Sequence, residues 1–293
     1  MQKKSFVRQN IFPVITALIW GTAFAAQSIA SDKLEPFTFN ALRSGVAFLA
    51  LCVISRIFSR RERPAGTRRD LILGGVSCGV LLFAASNLQQ LGIGHTTAGK
   101  AGFITTMYVV LVPVFGIFLG RRAPLRVWIS AVISAFGLYF LCMSDSLTIE
   151  RGDFYVLLCA VVFAFHILCI DHFVTKTDGI MLSCVQFLTA TVLSGVCALV
   201  FESPDGAAIA QCTWPILYVG IFSSGVGYTL QILAQRGSDP TVVTILLSLE
   251  SVFSVLAGAL ILGDRLTGRE YFGCVLMFAA VILAQLPERG REK

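Results

Sequence analysis

Residues 240–265 read PTVVTILLSLESVFSVLAGALILGDR, an apolar run of membrane length that carries one carboxylate, Glu250, near its middle. A charged side chain near the centre of a bilayer is costly, so an acid at this depth marks a candidate functional site. Residues 97–122 read TAGKAGFITTMYVVLVPVFGIFLGRR and have the same shape 143 positions earlier. Both runs start with small residues or threonine, continue as a long apolar body and reach Leu-Gly before a basic residue. The two runs therefore indicate an internal repeat.

The overall composition indicates a protein that is solvated by lipid. Of its 293 residues, 56% are hydrophobic and only 14% are charged, and the mean hydropathy is +0.79. A soluble domain usually carries about 25% charged residues. The net charge of +6 comes from Lys and Arg in short segments between apolar runs, which favours a role in membrane orientation over nucleic-acid binding. We therefore expect the lipid bilayer as a partner and no nucleic acid.

Ten apolar runs are each long enough to cross a bilayer as a helix of ~20 residues. They predict an all-α integral membrane protein with spans at about 10–30, 36–58, 71–94, 97–119, 126–143, 153–174, 180–201, 214–236, 240–262 and 270–286. With the N-terminus inside, the inner segments of the first half hold twelve Lys and Arg residues against three outside. This bias predicts a multi-pass protein of the cell (inner) membrane with both termini in the cytoplasm.

The offset of 143 also relates other spans. It aligns Ala17-Leu-Ile-Trp20 with Ala160-Val-Val-Phe163, and it places Arg43 on Gln186. The chain then divides into a first five-helix repeat at 1–145 and a second five-helix repeat at 146–293. Because five is an odd number, the second copy is inverted in the membrane. Inverted-topology repeats are typical of secondary transporters, with the binding site at the repeat interface near the bilayer midplane.

Three motifs resemble those of a known family. They are Trp20-Gly-Thr-Ala-Phe24, Tyr108-x4-Pro113-Val-Phe115, and Leu249-Glu250-x-Val252-Phe253 followed by Leu262-Gly-Asp-Arg-Leu-Thr267. Together they resemble the EamA-type transporters of the drug/metabolite transporter superfamily, over about residues 10–286. Ser251 stands where that family usually has proline. The resemblance implies ten helices in two inverted halves, alternating access and often metabolite export. It implies no particular substrate, because members carry amino acids, nucleobases, cofactors, sugars and drugs.

Glu250 is the first candidate of the substrate and ion pathway. Ser254 follows it at i+4, and Thr244, Ser248 and Ser251 lie on the adjoining stripe of the helix. In one interpretation this small and hydroxyl-rich face lines a water-filled cavity, where Glu250 binds a cationic group or carries a proton. In the other, Glu250 is a structural acid that bonds a neighbouring hydroxyl group and holds two helices together.

Arg43 and His166 are the other ionisable candidates. Arg43 lies about two turns into the second span and should face the bundle. It could hold an anionic group of the substrate, such as a carboxylate, or form an ion pair with a carboxylate of the protein. His166 lies in the middle of the sixth span, where it could relay protons or serve as a hydrogen-bonded core imidazole.

The remaining candidates are amides and aromatic residues within the spans. They are Trp20, Asn87, Gln90, Tyr108, Gln186, Tyr228 and Gln231. Amides are costly in contact with lipid, so these side chains should face inward. Aromatic rings with amides suit a small zwitterionic or heterocyclic solute. The alternative for any one of them is a helix–helix contact worth ~0.6 kcal/mol.

Small residues predict close helix packing. Gly75-x3-Gly79 in the third span permits tight approach of another helix, either within a monomer or between the subunits of a homodimer. Eight of the nine cysteines lie within apolar runs, so we expect them to be small core residues rather than metal ligands or disulfides. We expect no metal and no cofactor.

The function that the sequence predicts is secondary transport of a small metabolite. We expect an amino acid or related compound, moved outward by alternating access that is proton-coupled or an exchange. The alternatives are an integral-membrane enzyme or a non-transporting receptor or channel. No cluster such as His-x3-Asp suggests an enzyme, so we expect no catalytic residues. The Gly-x4-Gly-Lys-Ser/Thr motif of ATP-driven proteins is also absent from the sequence.

Overall fold

The structure is a computed structural model that describes residues 7–58, 66–96, 98–120, 123–142, 151–257 and 267–286. Every regular element in these ranges is a helix. The first half contains a π-helical turn (Val7–Ile11) and helices α1 (Phe12–Ser31), α2 (Pro36–Phe58), α3 (Arg68–Ile93), α4 (Ala98–Thr106), α5 (Tyr108–Phe118) and α6 (Leu125–Cys142). The second half contains α7 (Arg151–Val174), α8 (Gly179–Phe201), α9 (Gly206–Gln211), α10 (Thr213–Tyr218), a π-helical segment (Val219–Gly227), α11 (Tyr228–Gln235), α12 (Pro240–Leu247), α13 (Leu249–Ala257) and α14 (Gly268–Gln285).

Eight segments of the described chain are long and apolar enough to cross a membrane. They are Arg8–Ser31, Pro36–Arg56, Arg68–Ile93, Ala101–Phe118, Arg151–Val174, Gly179–Phe201, Thr213–Gln235 and Pro240–Ala257. A shorter apolar helix, Leu125–Phe140, lies in the predicted fifth span, and the 18-residue α14 of the predicted tenth span packs along it. The predicted all-α membrane fold is therefore confirmed. The Gly263-Asp264-Arg265 end of the ninth span lies outside the described residues.

Three of the predicted spans are not single uninterrupted α-helices. The fourth breaks at Met107, the ninth breaks at Ser248, and the eighth contains the π-helical segment. At both breaks the backbone tightens into i→i+3 hydrogen bonds, from Val110 N to the Met107 oxygen at 3.0 Å and from Ser251 N to the Ser248 oxygen at 3.2 Å. In the fourth span the interruption at Met107 precedes Pro113, which lies within the following helix α5. Interrupted helices at matching positions of two halves are typical of transporter binding sites.

Helices of the two halves interleave rather than forming separate bundles. Helix α1 packs on α13, α2 on α8, α3 on α7 and α8, and α6 on α14. The approach of α3 to α8 depends on glycine, because a Cβ atom at Gly75 would lie 2.4 Å from the Val185 Cβ, and one at Gly79 would lie 2.5 Å from the Thr189 Cβ. The Gly75-x3-Gly79 pair therefore packs within one chain.

Hydrogen bonds join the two halves at both ends of the bundle. At the end that holds the α1–α2 turn, the Glu202 carboxylate accepts hydrogen bonds from Phe37 N at 2.8 Å and Thr38 N at 2.7 Å. It thereby caps α2 from the end of α8. At the opposite end, which holds the α7–α8 turn, Gly66 N donates to the Lys176 oxygen at 3.0 Å.

Candidate functional site

A small central cavity lies where the two halves meet. Its volume is about 30 Å³, which is enough for about one or two water molecules. The lining residues are Trp20, Phe24, Gln27, Arg43, Gln89, Thr105, Tyr108, Phe163, Ile167, Ser223, Tyr228, Gln231 and Glu250. The wall therefore combines aromatic rings, amides, one basic group and one acidic group.

The wall of this cavity is built from equivalent positions of the two halves. Three pairs of lining residues are separated in sequence by the 143 or 142 positions that relate their spans. The pairs are Trp20 and Phe163, Phe24 and Ile167, and Gln89 and Gln231. The lining therefore comes from both halves of the chain, and transporters built from inverted repeats bind their substrates at an interface of this kind.

Glu250 lies where the two helix breaks meet. It belongs to the first turn of α13, directly after the break at Ser248, and its side chain is buried. Its Oε1 accepts hydrogen bonds from the Tyr108 hydroxyl at 3.0 Å and from the Thr106 hydroxyl at 3.1 Å. These two donors flank Met107, the break of the first half. The position in a first helical turn also favours a negative charge, because the helix N-terminus carries positive partial charge.

Gly21 of α1 packs closely against the backbone of Glu250. A Cβ atom at Gly21 would lie 2.6 Å from the Glu250 carbonyl oxygen and 2.7 Å from the Phe253 Cβ. Because the closest atom is backbone, the neighbour could not yield to a side chain at this position. The glycine of the Trp20-Gly-Thr motif therefore allows α1 to contact α13 at the level of the site.

Arg43 is the only basic residue of the cavity lining, and it has no carboxylate partner in the described part of the chain. Its Nη1 donates to the Gln27 Oε1 at 3.3 Å, and its guanidinium carbon lies 5.8 Å from the centre of the Phe39 ring. Its Nε has no hydrogen-bond partner among the described residues. Likewise, no basic side chain of the described residues pairs with Glu250. One cavity therefore presents a guanidinium group and a carboxyl group, and neither has a counterion in the described chain.

The aromatic side of the cavity is fixed by the π-helical segment. The Trp20 indole donates to the Ser223 carbonyl oxygen at 3.1 Å, and Thr16 donates to the Gly227 carbonyl oxygen at 3.2 Å. The Trp20 ring centre lies 4.7 Å from that of Tyr228. Single π-helical stretches within α-helices are frequent at functional sites.

Six of the predicted site residues line this cavity, and the other six lie near it without lining it. The residues that line the cavity are Trp20, Arg43, Tyr108, Tyr228, Gln231 and Glu250. The residues that do not line it are Asn87, Gln90, His166, Gln186, Ser248 and Ser251.

Asn87 joins helices rather than facing the cavity. It accepts from Asn40 at 2.9 Å and donates to Ser194 at 3.1 Å, which ties α2, α3 and α8 together. The second half repeats the contact, since Thr229 donates to Ser183 at 3.1 Å at the positions equivalent to Asn87 and Asn40.

His166 and Gln186 bond each other behind the cavity wall. The His166 Nε2 and Gln186 Oε1 are 3.2 Å apart, and the imidazole lies edge-on to the Tyr228 ring at 6.0 Å. The two predicted serines are also bonded: Ser248 donates to the Ile245 oxygen at 2.7 Å, and Ser251 lies 3.0 Å from the Thr106 hydroxyl.

Gln90 faces a different cavity. This second cavity has a volume of about 340 Å³, lies at the end of the bundle that holds the α1–α2 turn, and is lined in part by Lys33, Glu35 and His95. Gln89, the neighbour of Gln90 on α3, lines the central cavity instead. These two amides therefore lie between the cavities.

Several lining residues were not predicted from the sequence. They are Phe24, Thr105, Phe163, Ile167 and Ser223. The repeat itself held the signal for two of them, because Phe163 and Ile167 stand opposite Trp20 and Phe24 at the offset of 143. The others carry no local pattern that separates a cavity-facing residue from one in helix packing.

Comparison with known proteins agrees with the architecture. The sequence profile of the EamA-like transporter family matches the chain twice, over residues 8–143 and 150–286. The chain belongs to the EamA-like transporter family. This confirms the resemblance seen in the three motifs, and the chain is a multi-pass membrane protein of a transporter family.

Relatives of this EamA-family protein cover nearly the same length. An uncharacterized transporter of Archaeoglobus fulgidus is 31% identical over 93% of this chain and 84% of its own. The uncharacterized inner membrane transporter YedA of Escherichia coli K12 is 21% identical over 95% of this chain and 92% of its own. A crystal structure superposes with a TM-score of 0.77 at 17% identity, over 94% of this chain and 96% of that one. At this identity, the superposition shows a shared fold.

Proposed function

We propose that this EamA-family protein is a secondary transporter that moves a small zwitterionic metabolite, an amino acid or related compound, by alternating access. The observation that carries the proposal is the placement of Arg43 and Glu250 on one cavity, each without a counterion in the described chain. A buried charge is strongly destabilising unless it is paired. A ligand with one carboxylate and one ammonium group would supply both missing partners.

The chemistry of the wall fits such a ligand. The guanidinium group of Arg43 can hold a carboxylate through two parallel hydrogen bonds. Glu250, with one oxygen already held by Tyr108 and Thr106, is the partner for the ammonium group or for a proton. The rings of Trp20 and Tyr228 provide apolar contact for the rest of the solute.

The small volume of the cavity favours a carrier over an open channel. Sites that hold small molecules usually measure ~300–1,000 Å³, whereas this cavity measures about 30 Å³. The site must therefore expand to bind a solute and contract when empty. Alternating access includes such a closed state, and a permanently open pore does not.

We also propose ten membrane spans in two inverted repeats, 1–145 and 146–293, with α6 and α14 as the fifth and tenth spans. The two family matches and the paired helix breaks at Met107 and Ser248 support this arrangement. The distribution of Lys and Arg favours an inner-membrane protein with both termini in the cytoplasm, as a monomer or homodimer. In this orientation the end with the α1–α2 turn faces outward. Export, driven by protons or by exchange, is the direction we propose.

Solute counterflow in proteoliposomes tests the proposal. Proteoliposomes that contain the purified protein are loaded with an unlabelled amino acid, nucleobase, vitamin or organic cation. Uptake of the same solute in labelled form is then followed. Trans-stimulated uptake of one zwitterionic solute is the expected result. A protein that is folded but shows no counterflow with any class would refute the carrier.

Glu250→Gln and Ser194→Ala are the matched variants for this assay. Glu250→Gln should abolish or strongly reduce proton-driven uptake, and exchange that persists without a response to a pH gradient would assign Glu250 as the proton site. Ser194 contacts Asn87 away from the cavity, so Ser194→Ala reports on general damage from removing a buried polar group. Equal losses in both variants would contradict a specific role of Glu250.

A further inference from the structure

Two buried glutamines near opposite ends of the fold make the same contact. The Gln90 Nε2 donates to the backbone oxygen of Gln27 at 3.1 Å, and the Gln235 Nε2 donates to the backbone oxygen of Ile167 at 2.9 Å. In the first half the bond runs from α3 to α1, and in the second half from α11 to α7. The two bonds therefore join equivalent helices of the two halves.

Both glutamines bond through one atom only. Each is 1% exposed, and the Oε1 of each has no hydrogen-bond partner among the described residues. Asn87 differs, since its amide both accepts and donates across the helix interface. Each amide therefore joins its two helices through a single hydrogen bond, so these two contacts should open more readily than a contact held by two.

The two contacts border the central cavity on opposite sides. The acceptors are the backbone oxygens of Gln27 and Ile167, and both of these residues line the cavity. Gln90 also lines the cavity of about 340 Å³ at the α1–α2 end, so its bond to Gln27 lies between the two cavities. Gln235 is the last residue of α11, at the other end of the bundle.

We propose that Gln90 and Gln235 are the latch residues of an outer and an inner gate. The inference rests on the proposed alternating access, because it assigns one latch to each side of the membrane. In this structure both bonds are formed, and the central cavity between them is contracted to about 30 Å³. Opening the Gln90 bond separates α3 from α1 on the outer side, and opening the Gln235 bond separates α11 from α7 on the inner side.

The test measures access to the central cavity from each side. Ser223 lines this cavity, and Ser223→Cys places a thiol there with little change in volume. Labelling by a membrane-impermeant quaternary-ammonium methanethiosulfonate is followed in right-side-out and inside-out vesicles. The same protein with Ser223 intact gives the rate of the native cysteines, which is subtracted.

Gln90→Met and Gln235→Met are introduced separately into this reporter. Methionine has a similar volume but cannot donate to a carbonyl oxygen, so packing is largely kept. Gln90→Met should accelerate labelling from the outside about three- to tenfold, as expected for one lost hydrogen bond, and should not accelerate it from the inside. Gln235→Met should show the opposite preference, so each variant is the control for the other.

Two results would overturn the latches. One is an equal acceleration on both sides in each variant, which is the effect of general loosening. The other is unchanged labelling in both variants, with thermal unfolding in detergent showing that the proteins are folded. The assay needs no transported solute, so its outcome is separate from that of counterflow. If counterflow is observed but labelling is accelerated equally from both sides, the transport proposal stands and the latch proposal is refuted.

Discussion

Tyr108 directly follows Met107, the residue 143 positions before Glu250, and the Tyr108 hydroxyl donates to the Glu250 Oε1 at 3.0 Å. Each follows the break in its own interrupted helix, at Met107 and Ser248. The packing of the two interrupted helices thus brings a hydroxyl donor beside the break at Met107 into contact with the carboxyl group that follows the break at Ser248. This contact fixes the Glu250 carboxylate at the cavity wall.

Tyr108→Phe should weaken solute exchange while leaving the fold intact. The variant removes one hydrogen bond to a carboxylate, which usually contributes ~1.5–3 kcal/mol. We therefore expect the half-saturating solute concentration in counterflow to rise at least about tenfold. Tyr218→Phe is the matched control, because Tyr218 bonds Thr22 at 2.5 Å and does not line the cavity. Unchanged concentration dependence in Tyr108→Phe would contradict the role of this contact.

Arg43→Gln should reduce binding of solutes that carry a carboxylate, with a small effect on stability. Glutamine is the residue at the equivalent position, Gln186, and it lacks the charge. Breaking a buried ion pair usually costs ~3–5 kcal/mol because it strands a charge. Arg43 has no carboxylate partner among the described residues, so this cost should not arise.

Counterflow with an amino acid and with the corresponding amine measures the effect of Arg43→Gln. The variant should discriminate between them less than the native protein does, and its midpoint of thermal unfolding should stay within a few degrees of the native value. A large loss of thermal stability would show that Arg43 serves the fold. Equal loss of both solutes would contradict carboxylate recognition.

Gly21→Ala should destabilise the protein and impair exchange. The added Cβ atom would lie 2.6 Å from the Glu250 carbonyl oxygen, which is backbone and cannot move aside. Overpacking of this kind typically costs ~1–3 kcal/mol. Gly102→Ala is the control, since no atom of the described residues lies within 4 Å of a Cβ atom there, and alanine in a helix is ~0.5–1 kcal/mol more favourable than glycine. The midpoint of thermal unfolding should fall for Gly21→Ala only. A lower midpoint for Gly102→Ala than for Gly21→Ala would refute the close contact at Gly21.

Glu202→Ala should lower thermal stability through the α1–α2 end of the bundle. Its carboxylate accepts from Phe37 N and Thr38 N at the start of α2, and loss of such a cap costs ~0.5–2 kcal/mol. Asp205→Ala is the comparison, because Asp205 caps only the six-residue α9. We expect a larger fall in the unfolding midpoint for Glu202→Ala, and Glu202→Gln should lie between it and the native protein. Equal midpoints for the two alanine variants would contradict a role of Glu202 in joining the halves.

The sequence predicted the acidic and the basic residue that line the central cavity but not all of their surroundings. Glu250 and Arg43 stood out because charge within a membrane span is rare. Buried amides were harder to assign, since Asn87 joins helices whereas Gln231 lines the cavity. Both are polar residues in apolar runs, and only the rotation of each helix separates these roles.

By itself, the sequence determined that this protein is helical and solvated by lipid, and it predicted the duplicated arrangement. Long apolar runs must bond their own backbone groups in lipid and therefore form helices, and the offset of 143 is a property of the chain. The tertiary structure decided which polar groups meet. The breaks at Met107 and Ser248, and the interleaving of the two halves, bring Arg43 and Glu250 to one cavity of about 30 Å³. That convergence depends on packing between residues far apart in the chain, which local sequence does not encode.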